Sequence, residues 1–179
     1  MPPSLPRPHR PPRVATLVLL AAVGAAAALL GGCGPGGEPD LVVGRAQASV
    51  PIAGASQVVV DVTNHGDGDD RLVGAETDVA LDVELHLTEI ADGRATMTTL
   101  QEIDVPAGER VRFRPGALHL MLVLPDETVV AGGTFDLRLS FARSEDLTVP
   151  VEVVDLLDLV ESADAEDLAD PDAGGTDAG

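Results

Sequence analysis

The sequence predicts an all-β protein, an antiparallel sandwich of short strands in one domain. Between residues 41 and 155, apolar and polar side chains alternate with a period of two, which is typical of strands with one buried face. Asn, Asp, Gly and Pro separate these segments at short intervals, as in antiparallel sandwiches. With 179 residues, the chain is large enough for one modest core and too short for two sizeable domains.

The alternation is clearest in four segments along the chain. Their apolar faces are Val58, Val60 and Val62; Val111 and Phe113; Leu137, Leu139 and Phe141; and Val149, Val151 and Val153. Turn residues occur at 64–70, 92–93, 106–108, 115–116, 125–126 and 132–133. Each segment is therefore predicted to be a strand with one face toward the core.

The C-terminal residues differ in composition from this domain of residues 41–155. From Asp155 onward there are nine acidic residues and no Lys or Arg, and the last residues are Ala, Gly, Asp and Pro. Such a segment has little apolar surface to bury and repels itself. We expect one or two helical turns at most, followed by disorder, and assign residues 156–179 to an acidic disordered tail.

The N-terminus has the organisation of a bacterial secretory signal. Arg7, Arg10 and Arg13 precede an apolar run over 14–30 that ends in Leu30-Gly31-Gly32-Cys33, which resembles a lipobox. Cleavage before Cys33 would remove residues 1–32 as a signal peptide and expose the thiol that accepts a lipid. Residues 33–40 would then be a lipidated tether. The alternative is an uncleaved membrane anchor.

Composition and charge exclude several classes of function. Aromatic residues make up 2 %, Lys is absent and the formal net charge is −19, so the chain lacks the features of a nucleic-acid binder. The single Cys excludes an intrachain disulfide and a Cys-based zinc or iron–sulfur site. Signal cleavage removes three Arg and no acidic residue, which changes the net charge from −19 to −22. These features indicate an acidic extracytoplasmic protein.

Four residues do not fit an ordinary sandwich. His86 lies on the polar face of its strand, and His119 and Met121 lie opposite a face of four leucines. Met97 follows the Asp92-Gly93 turn among small and Thr residues, so it can lie on a strand beside that of His86. Two imidazoles and two thioethers form a soft, uncharged ligand set, and thioether sulfur favours Cu(I). Ordinary packing explains each residue taken alone, and the pattern leaves a copper site and packing about equally open.

The spacing of these residues resembles that of the periplasmic copper chaperones called PCu(A)C. That family's motif is a His, then a Met after ten intervening residues, a second His after twenty-one more and a second Met after one more. In this chain these positions are His86, Met97, His119 and Met121. Neighbouring segments are also similar, at 69–75, 83–86, 105–109 and 115–122. Leu87 stands where many members have Met, and Ala117 and Leu118 stand where many have Gly and an aromatic residue.

The resemblance implies a cupredoxin-like or immunoglobulin-like β-sandwich with Cu(I) held by His86, Met97, His119 and Met121. It also implies a carrier that passes copper by ligand exchange to a protein partner, such as cytochrome oxidase during assembly or another cuproprotein. We expect a monomer anchored by its lipid on the extracytoplasmic face of the bacterial cell membrane. The alternative is a metal-free, immunoglobulin-like surface domain that binds a protein partner.

Other candidate sites are weaker. The loop at 64–70 has oxygen ligands that could hold Ca²⁺, but its spacing is not that of an EF-hand, and a solvated turn is favoured. His65 in this loop is considered as an auxiliary copper ligand and is not expected to contribute. The sequence has no nucleophile elbow, catalytic Ser/His/Asp order or phosphate loop. We therefore expect that the protein is not an enzyme.

Overall fold

The computed structural model describes residues 36–169, which form ten β-strands and one α-helix. The strands are β1 (Leu41–Ser49), β2 (Ala55–Asn64), β3 (Asp70–Glu76), β4 (Ala80–Ala91), β5 (Arg94–Leu100), β6 (Ile103–Val105), β7 (Arg110–Arg112), β8 (Leu118–Pro125), β9 (Thr134–Phe141) and β10 (Leu147–Val154). The helix is α1 (Leu156–Ala169). The all-β prediction is confirmed.

The strands hydrogen-bond in the order β5-β4-β8-β2-β1-β10-β9-β3-β6, and β7 pairs with β2. All pairs are antiparallel except β1 with β10. Inward-facing side chains from both halves of this sheet belong to one hydrophobic cluster. The sheet therefore folds over on itself as a sandwich, in which β4 and β8 are interior strands flanked on both sides.

The core is built from the alternating residues that the sequence indicated. In β2 the buried face is Val58, Val60 and Val62, and β8 places Leu120 and Leu122 beside it. Leu137 and Leu139 of β9 are also completely buried. Burying one such side chain stabilises the fold by about 1.5–3 kcal/mol. Because the inner face holds these apolar residues, the register directs the intervening side chains of β4 and β8 to the outer face.

A two-residue turn sets the register of β4 and β5. Asp92 and Gly93 both have positive φ, 52° and 72°, as a type I′ hairpin turn requires. Ala91 therefore pairs with Arg94 at the end of the hairpin. Three pairs further from the turn, Thr88 faces Met97 across the two strands.

The helix α1 corrects the prediction of a disordered tail over residues 156–179. Residues Leu156–Ala169 form a 14-residue helix in which Leu159 and Ala163, four positions apart, are buried. The Ser162 hydroxyl donates a hydrogen bond to Gln47 Oε1 on β1, at 2.9 Å. Packing of this narrow apolar stripe on the sheet outweighs the unfavourable charge of the segment. Residues 170–179 lie outside the described part of the chain.

The N-terminal assignments are not tested by the structure. The predicted signal peptide at 1–32 and the predicted lipid site Cys33 lie outside the described residues. Among residues 36–169, no helix has the length and apolar character needed to cross a membrane. The signal peptide and the lipid anchor therefore remain predictions.

Candidate metal site

The outer face of four neighbouring strands, β5, β4, β8 and β2, holds the four predicted copper ligands. His86 on β4 pairs with His119 on β8. On its other side, His86 pairs with Thr99 on β5, and Met97 lies two residues along β5 on the same face. Met121 lies two residues along β8 from His119. The strand register thus brings residues from three separate segments to one face of the sheet.

Among the described residues, the Nε2 atom of His119 has no hydrogen-bond partner. The side chain is completely buried, and its Nδ1 lies 2.9 Å from the carbonyl oxygen of Ala117. A carbonyl can only accept, so Nδ1 carries the proton and donates it. Nε2 then holds the lone pair, is buried and has no hydrogen-bond partner among the described residues. A buried polar atom without a partner is costly, and a lone pair in this state is suited to a metal ion.

The environment of His119 favours its neutral form. Burial lowers the pKa of His119, and the nearby His86 ring lowers it further, while the hydrogen bond to Ala117 partly opposes this shift. The neutral imidazole is the form that binds metals. The site therefore keeps His119 ready for a metal at a pH below the ordinary histidine range.

His86 contacts four side chains of the site. Its Nδ1 lies 3.0 Å from the sulfur of Met97. Its Nε2 lies 2.7 Å from Glu84 Oε2 and 3.2 Å from Thr99 Oγ1. The rings of His86 and His119 meet edge to face, with centroids 5.6 Å apart and an interplanar angle of 90°. Two imidazoles and one thioether thus converge directly.

The site is less exposed than the sequence indicated. The prediction placed His86 and His119 on a face away from the core, and the register agrees, but His86 is only 8 % exposed. These residues are buried because β4 and β8 are interior strands, so that side chains of β5 and β2 flank them. Met97 is 48 % exposed and Met121 is half-buried. The imidazoles therefore lie deep, and the Met97 thioether reaches the surface.

Two further orphaned atoms lie on the same face. Gln57 Oε1 and Thr88 Oγ1 are buried without a hydrogen-bond partner in the described part of the chain. Gln57 pairs with Met121, and Thr88 pairs with Met97. Within the described residues, these two atoms and His119 Nε2 are the buried side-chain nitrogen and oxygen atoms that lack a hydrogen-bond partner. Each of the two methionines thus lies opposite a polar side chain with a buried atom that lacks a hydrogen-bond partner among the described residues.

The donor types favour a soft metal. No group of three or more His, Cys, Asp or Glu side chains that could hold a metal occurs within residues 36–165. The thioethers of Met97 and Met121 lie on the same face of the sheet as the two imidazoles, and thioether sulfur is a ligand type that favours Cu(I).

The sequence analysis missed four polar residues of the site, Gln57, Glu84, Thr88 and Thr99. Three of them were detectable in principle, because they lie an even number of residues from a predicted ligand on the same strand, namely Glu84 and Thr88 beside His86 and Thr99 beside Met97. Gln57 gave no such signal. It reaches the site through the pairing of β2 with β8.

The loop at 64–70 has a structural role. Asn64 is completely buried, and its side-chain amide donates to the carbonyl oxygens of Gly68 and Val105. The carboxylate of Asp70 accepts hydrogen bonds from the backbone of Arg143 and from Ser144. Burial raises the pKa of Asp70, but these bonds outweigh burial and lower it. His65 is exposed just beyond the end of β2.

The comparison with known families identifies the chain. A family model described as "Putative lipoprotein LpqE-like" matches residues 40–153. The chain belongs to the LpqE-like family. This LpqE-like protein is 32 % identical over 153 residues to "Putative lipoprotein Lxx21020" of Leifsonia xyli subsp. xyli (strain CTCB07), a match that covers 78 % of this chain and 92 % of the relative.

Solved structures similar to this LpqE-like protein include PCuAC domains. The copper-bound PCuAC domain from PmoF2 has a TM-score of 0.55 at 21 % identity, with 66 % of this chain and 98 % of that domain covered. The solution structure of the Cu(I) form of DR1885 from Deinococcus radiodurans has a TM-score of 0.54 at 22 % identity, with 75 % and 87 % covered. At this identity the likeness establishes the fold of the LpqE-like protein, an immunoglobulin-like β-sandwich of the PCuAC type.

Proposed function

We propose that this LpqE-like protein is a copper chaperone that holds Cu(I) between His86, Met97, His119 and Met121. The observation that carries the proposal is the buried Nε2 of His119, which has no partner among the described residues while Nδ1 is held by Ala117. The ring of His119 lies edge to face with the ring of His86, and His86 in turn touches Met97. The copper-bound PCuAC domain from PmoF2, which shares the fold, adds support.

Cu(I) fits the donor set better than other biological metals. A d¹⁰ ion has no ligand-field preference and accepts two nitrogens and two sulfurs without a fixed geometry. Met97 and Met121 add no negative charge, and Cu(I) is the ion that thioether ligands select. The same donors would hold Zn²⁺, Ca²⁺ and Mg²⁺ poorly, since these ions prefer thiolate, imidazole and carboxylate or oxygen ligands.

Ligand exchange follows from the unequal depth of the donors. Met97 is half exposed, whereas His119 is completely buried. A recipient protein can therefore displace the Met97 sulfur first and bind the ion with its own thiolate or imidazole before the histidines release it. Copper passes between two proteins in this way without becoming a free ion. The chaperone itself catalyses no chemical step.

The proposed location is the extracytoplasmic face of the cell membrane, with Cys33 as the lipidated N-terminal residue of the mature chain. The lipobox-like sequence before Cys33 supports the assignment, and the family model and the Leifsonia relative are both described as lipoproteins. We propose a cuproprotein outside the cytoplasm as the recipient, with cytochrome oxidase during its assembly as the first candidate. This recipient follows from the sequence resemblance to the copper chaperones.

A competition titration tests the proposal. The soluble chain from Gly34 is titrated with Cu(I) under reducing, anaerobic conditions against a chromogenic Cu(I) chelator. We expect one copper per chain, bound more tightly than micromolar, and weaker binding in each of four variants, His86→Ala, Met97→Leu, His119→Ala and Met121→Leu. Failure of the wild-type protein to compete with the chelator would overturn the copper proposal and favour the metal-free surface domain.

A further inference from the structure

Glu84 lies two residues before His86 on the same face of β4. Its Oε2 is 2.7 Å from His86 Nε2, and its side chain is 39 % exposed. We propose that Glu84 is a positioning residue that fixes the tautomer of His86, so that His86 presents Nδ1 to copper. The proposal rests on the proposed function, because it concerns how one of the four ligands is held.

The chemistry of the contact sets the tautomer. An ionised carboxylate only accepts hydrogen bonds, so the nitrogen 2.7 Å from Glu84 must carry the proton. The opposite tautomer would place the Nε2 lone pair against a negatively charged oxygen. In the neutral ring, the remaining lone pair therefore lies on Nδ1. Nδ1 is the atom that faces the Met97 sulfur, at 3.0 Å.

Thr99 is compatible with the same assignment. Its hydroxyl oxygen lies 3.2 Å from His86 Nε2, and a hydroxyl can accept a proton as well as donate one. Thr99 by itself would permit either tautomer. The Met97 sulfur near Nδ1 is a weaker acceptor than a carboxylate, so Glu84 is the partner of His86 that decides between them.

The two histidines are consequently held in opposite ways. In His119 the carbonyl oxygen of Ala117 holds Nδ1–H, which leaves the lone pair on Nε2. In His86 the carboxylate of Glu84 holds Nε2–H, which leaves the lone pair on Nδ1. Metal-binding histidines commonly donate their second ring N–H to a carboxylate or a backbone carbonyl, which orients the ring. Both lone pairs are therefore set before the metal arrives, and transfer requires no tautomer change.

The test measures the tautomer of His86 directly in the copper-free protein. The full chain is labelled with ¹⁵N, solubilised in detergent and studied at about pH 8, above the ordinary pKa of a free imidazole. Two-bond ¹H–¹⁵N correlations assign the protonated ring nitrogen of each histidine. We expect Nε2–H for His86 and Nδ1–H for His119.

Two substitutions separate the hydrogen bond from the size of the side chain. Glu84→Leu removes the acceptor, so we expect His86 to become a mixture of tautomers and Cu(I) affinity to fall by about 10- to 100-fold. Glu84→Gln keeps the size of the side chain but carries an NH2 donor beside its carbonyl acceptor, so it no longer dictates the tautomer, and we expect a mixture of tautomers and weaker Cu(I) binding there too. Glu89→Leu is the matched control, because Glu89 is an exposed residue of β4 that lies on the opposite face. It should change neither property.

The outcomes distinguish this inference from the proposed function. Nδ1–H in wild-type His86, or an unchanged Nε2–H form in Glu84→Leu, would overturn the positioning role even if copper binds well. If Glu84→Leu changes the tautomer but not the affinity, the role in copper binding is also overturned. A wild-type protein that shows the expected tautomers but binds no Cu(I) would instead contradict the proposed function.

Discussion

At the scale of single residues, the chemistry of the site depends on which atom of each side chain is left without a partner. His119 and Glu84 show this most clearly. A backbone carbonyl holds one nitrogen of His119, and Glu84 holds one nitrogen of His86. The remaining nitrogen of each ring is available to a metal, as preorganised sites require. In the proposed site the methionines add sulfur donors that need no deprotonation, so we expect them to bind Cu(I) over a wide range of pH.

Met121 provides a direct test of the thioether donors. Met121→Leu nearly conserves volume, so we expect the free energy of unfolding to fall by less than about 1.5 kcal/mol. Cu(I) affinity should fall by about tenfold or more, at least the loss that follows removal of an outer-shell partner. Urea unfolding and competition with a Cu(I) chelator measure the two effects. Leu124→Met on the same strand is the control, since Leu124 is 60 % exposed and is not one of the proposed ligands.

Full retention of Cu(I) binding by Met121→Leu would show that this sulfur is not a ligand. Loss of binding in both Met121→Leu and Leu124→Met would point to a general disturbance of β8. Only a loss confined to Met121→Leu supports the assignment.

The pH dependence of copper binding follows from the pKa of His119. Protons compete with copper for Nε2, because Nδ1 already carries a hydrogen. Burial lowers the pKa of His119 from its ordinary value of 6.5, so the proton competes only at lower pH. We expect the Cu(I) affinity to remain constant from pH 8 to about pH 6 and to fall below that value. Chelator competition at a series of pH values measures it.

An affinity that stays constant to pH 4 would argue that neither histidine binds copper. The free energy of unfolding of the copper-free protein should also decrease as the pH falls. The unfolded chain takes up the proton near pH 6.5 and the folded chain only at lower pH, so folding becomes less favourable as the pH falls below 6.5.

At the level of secondary structure elements, the helix α1 is a feature that neither the alternation of apolar residues nor the composition of the chain predicted. Its acidic residues and the absence of Lys and Arg predicted disorder, yet Leu159 and Ala163 are spaced to cover one helical face. Two buried residues at this spacing are a weak signal in a sequence. The two residues become buried only when the helix packs beside β1, where Ser162 donates a hydrogen bond to Gln47. That surface of the sheet exists only in the folded domain.

A pair of leucines tests whether the helix is part of the folded domain. Leu159 is completely buried and Leu157 is 81 % exposed. Leu159→Ala should lower the free energy of unfolding by about 2–5 kcal/mol, whereas Leu157→Ala should change it by about 0.5 kcal/mol or less. Urea unfolding of the two variants measures the difference. Equal, small effects would mean that the helix does not pack on the sandwich in solution.

The hairpin of β4 and β5 marks the boundary of what the sequence could predict. The Asp92-Gly93 turn predicted that His86 and Met97 lie on adjacent strands, and the turn geometry and the contact between these side chains agree. The pairing of His86 with His119 joins residues far apart in sequence. Alternation assigns both residues to an outer face but does not set the register between β4 and β8. The burial of the two histidines was missed for the same reason.

At the scale of the whole molecule, the all-β sandwich was predictable because one core imposes one alternation on most of its strands. The parallel pairing of β1 with β10 was not predictable, since it depends on two strands at opposite ends of the domain. The chain is also strongly acidic, with a net charge of −22 after the predicted cleavage. Such a charge favours solubility and keeps the domain away from anionic lipid, so a covalent anchor would be needed to hold it at a membrane.

Cys33 tests the proposed anchor. Cys33→Ser removes the thiol that accepts the lipid, and we expect the variant to lose incorporation of labelled fatty acid and mature processing. Membrane fractionation and metabolic labelling in an expressing bacterium measure both properties. An unchanged apparent mass and unchanged membrane retention without any lipid label would instead favour an uncleaved membrane anchor.

The central claim is that two imidazole nitrogens and two thioether sulfurs bind one Cu(I) ion. X-ray absorption spectroscopy at the copper K-edge, on the loaded wild-type protein and on Met121→Leu, tests it most directly. We predict a Cu(I) edge with two nitrogen and two sulfur neighbours in the wild-type protein, and the loss of one sulfur in the variant. A coordination shell of nitrogen and oxygen alone, or one unchanged by Met121→Leu, would contradict the account.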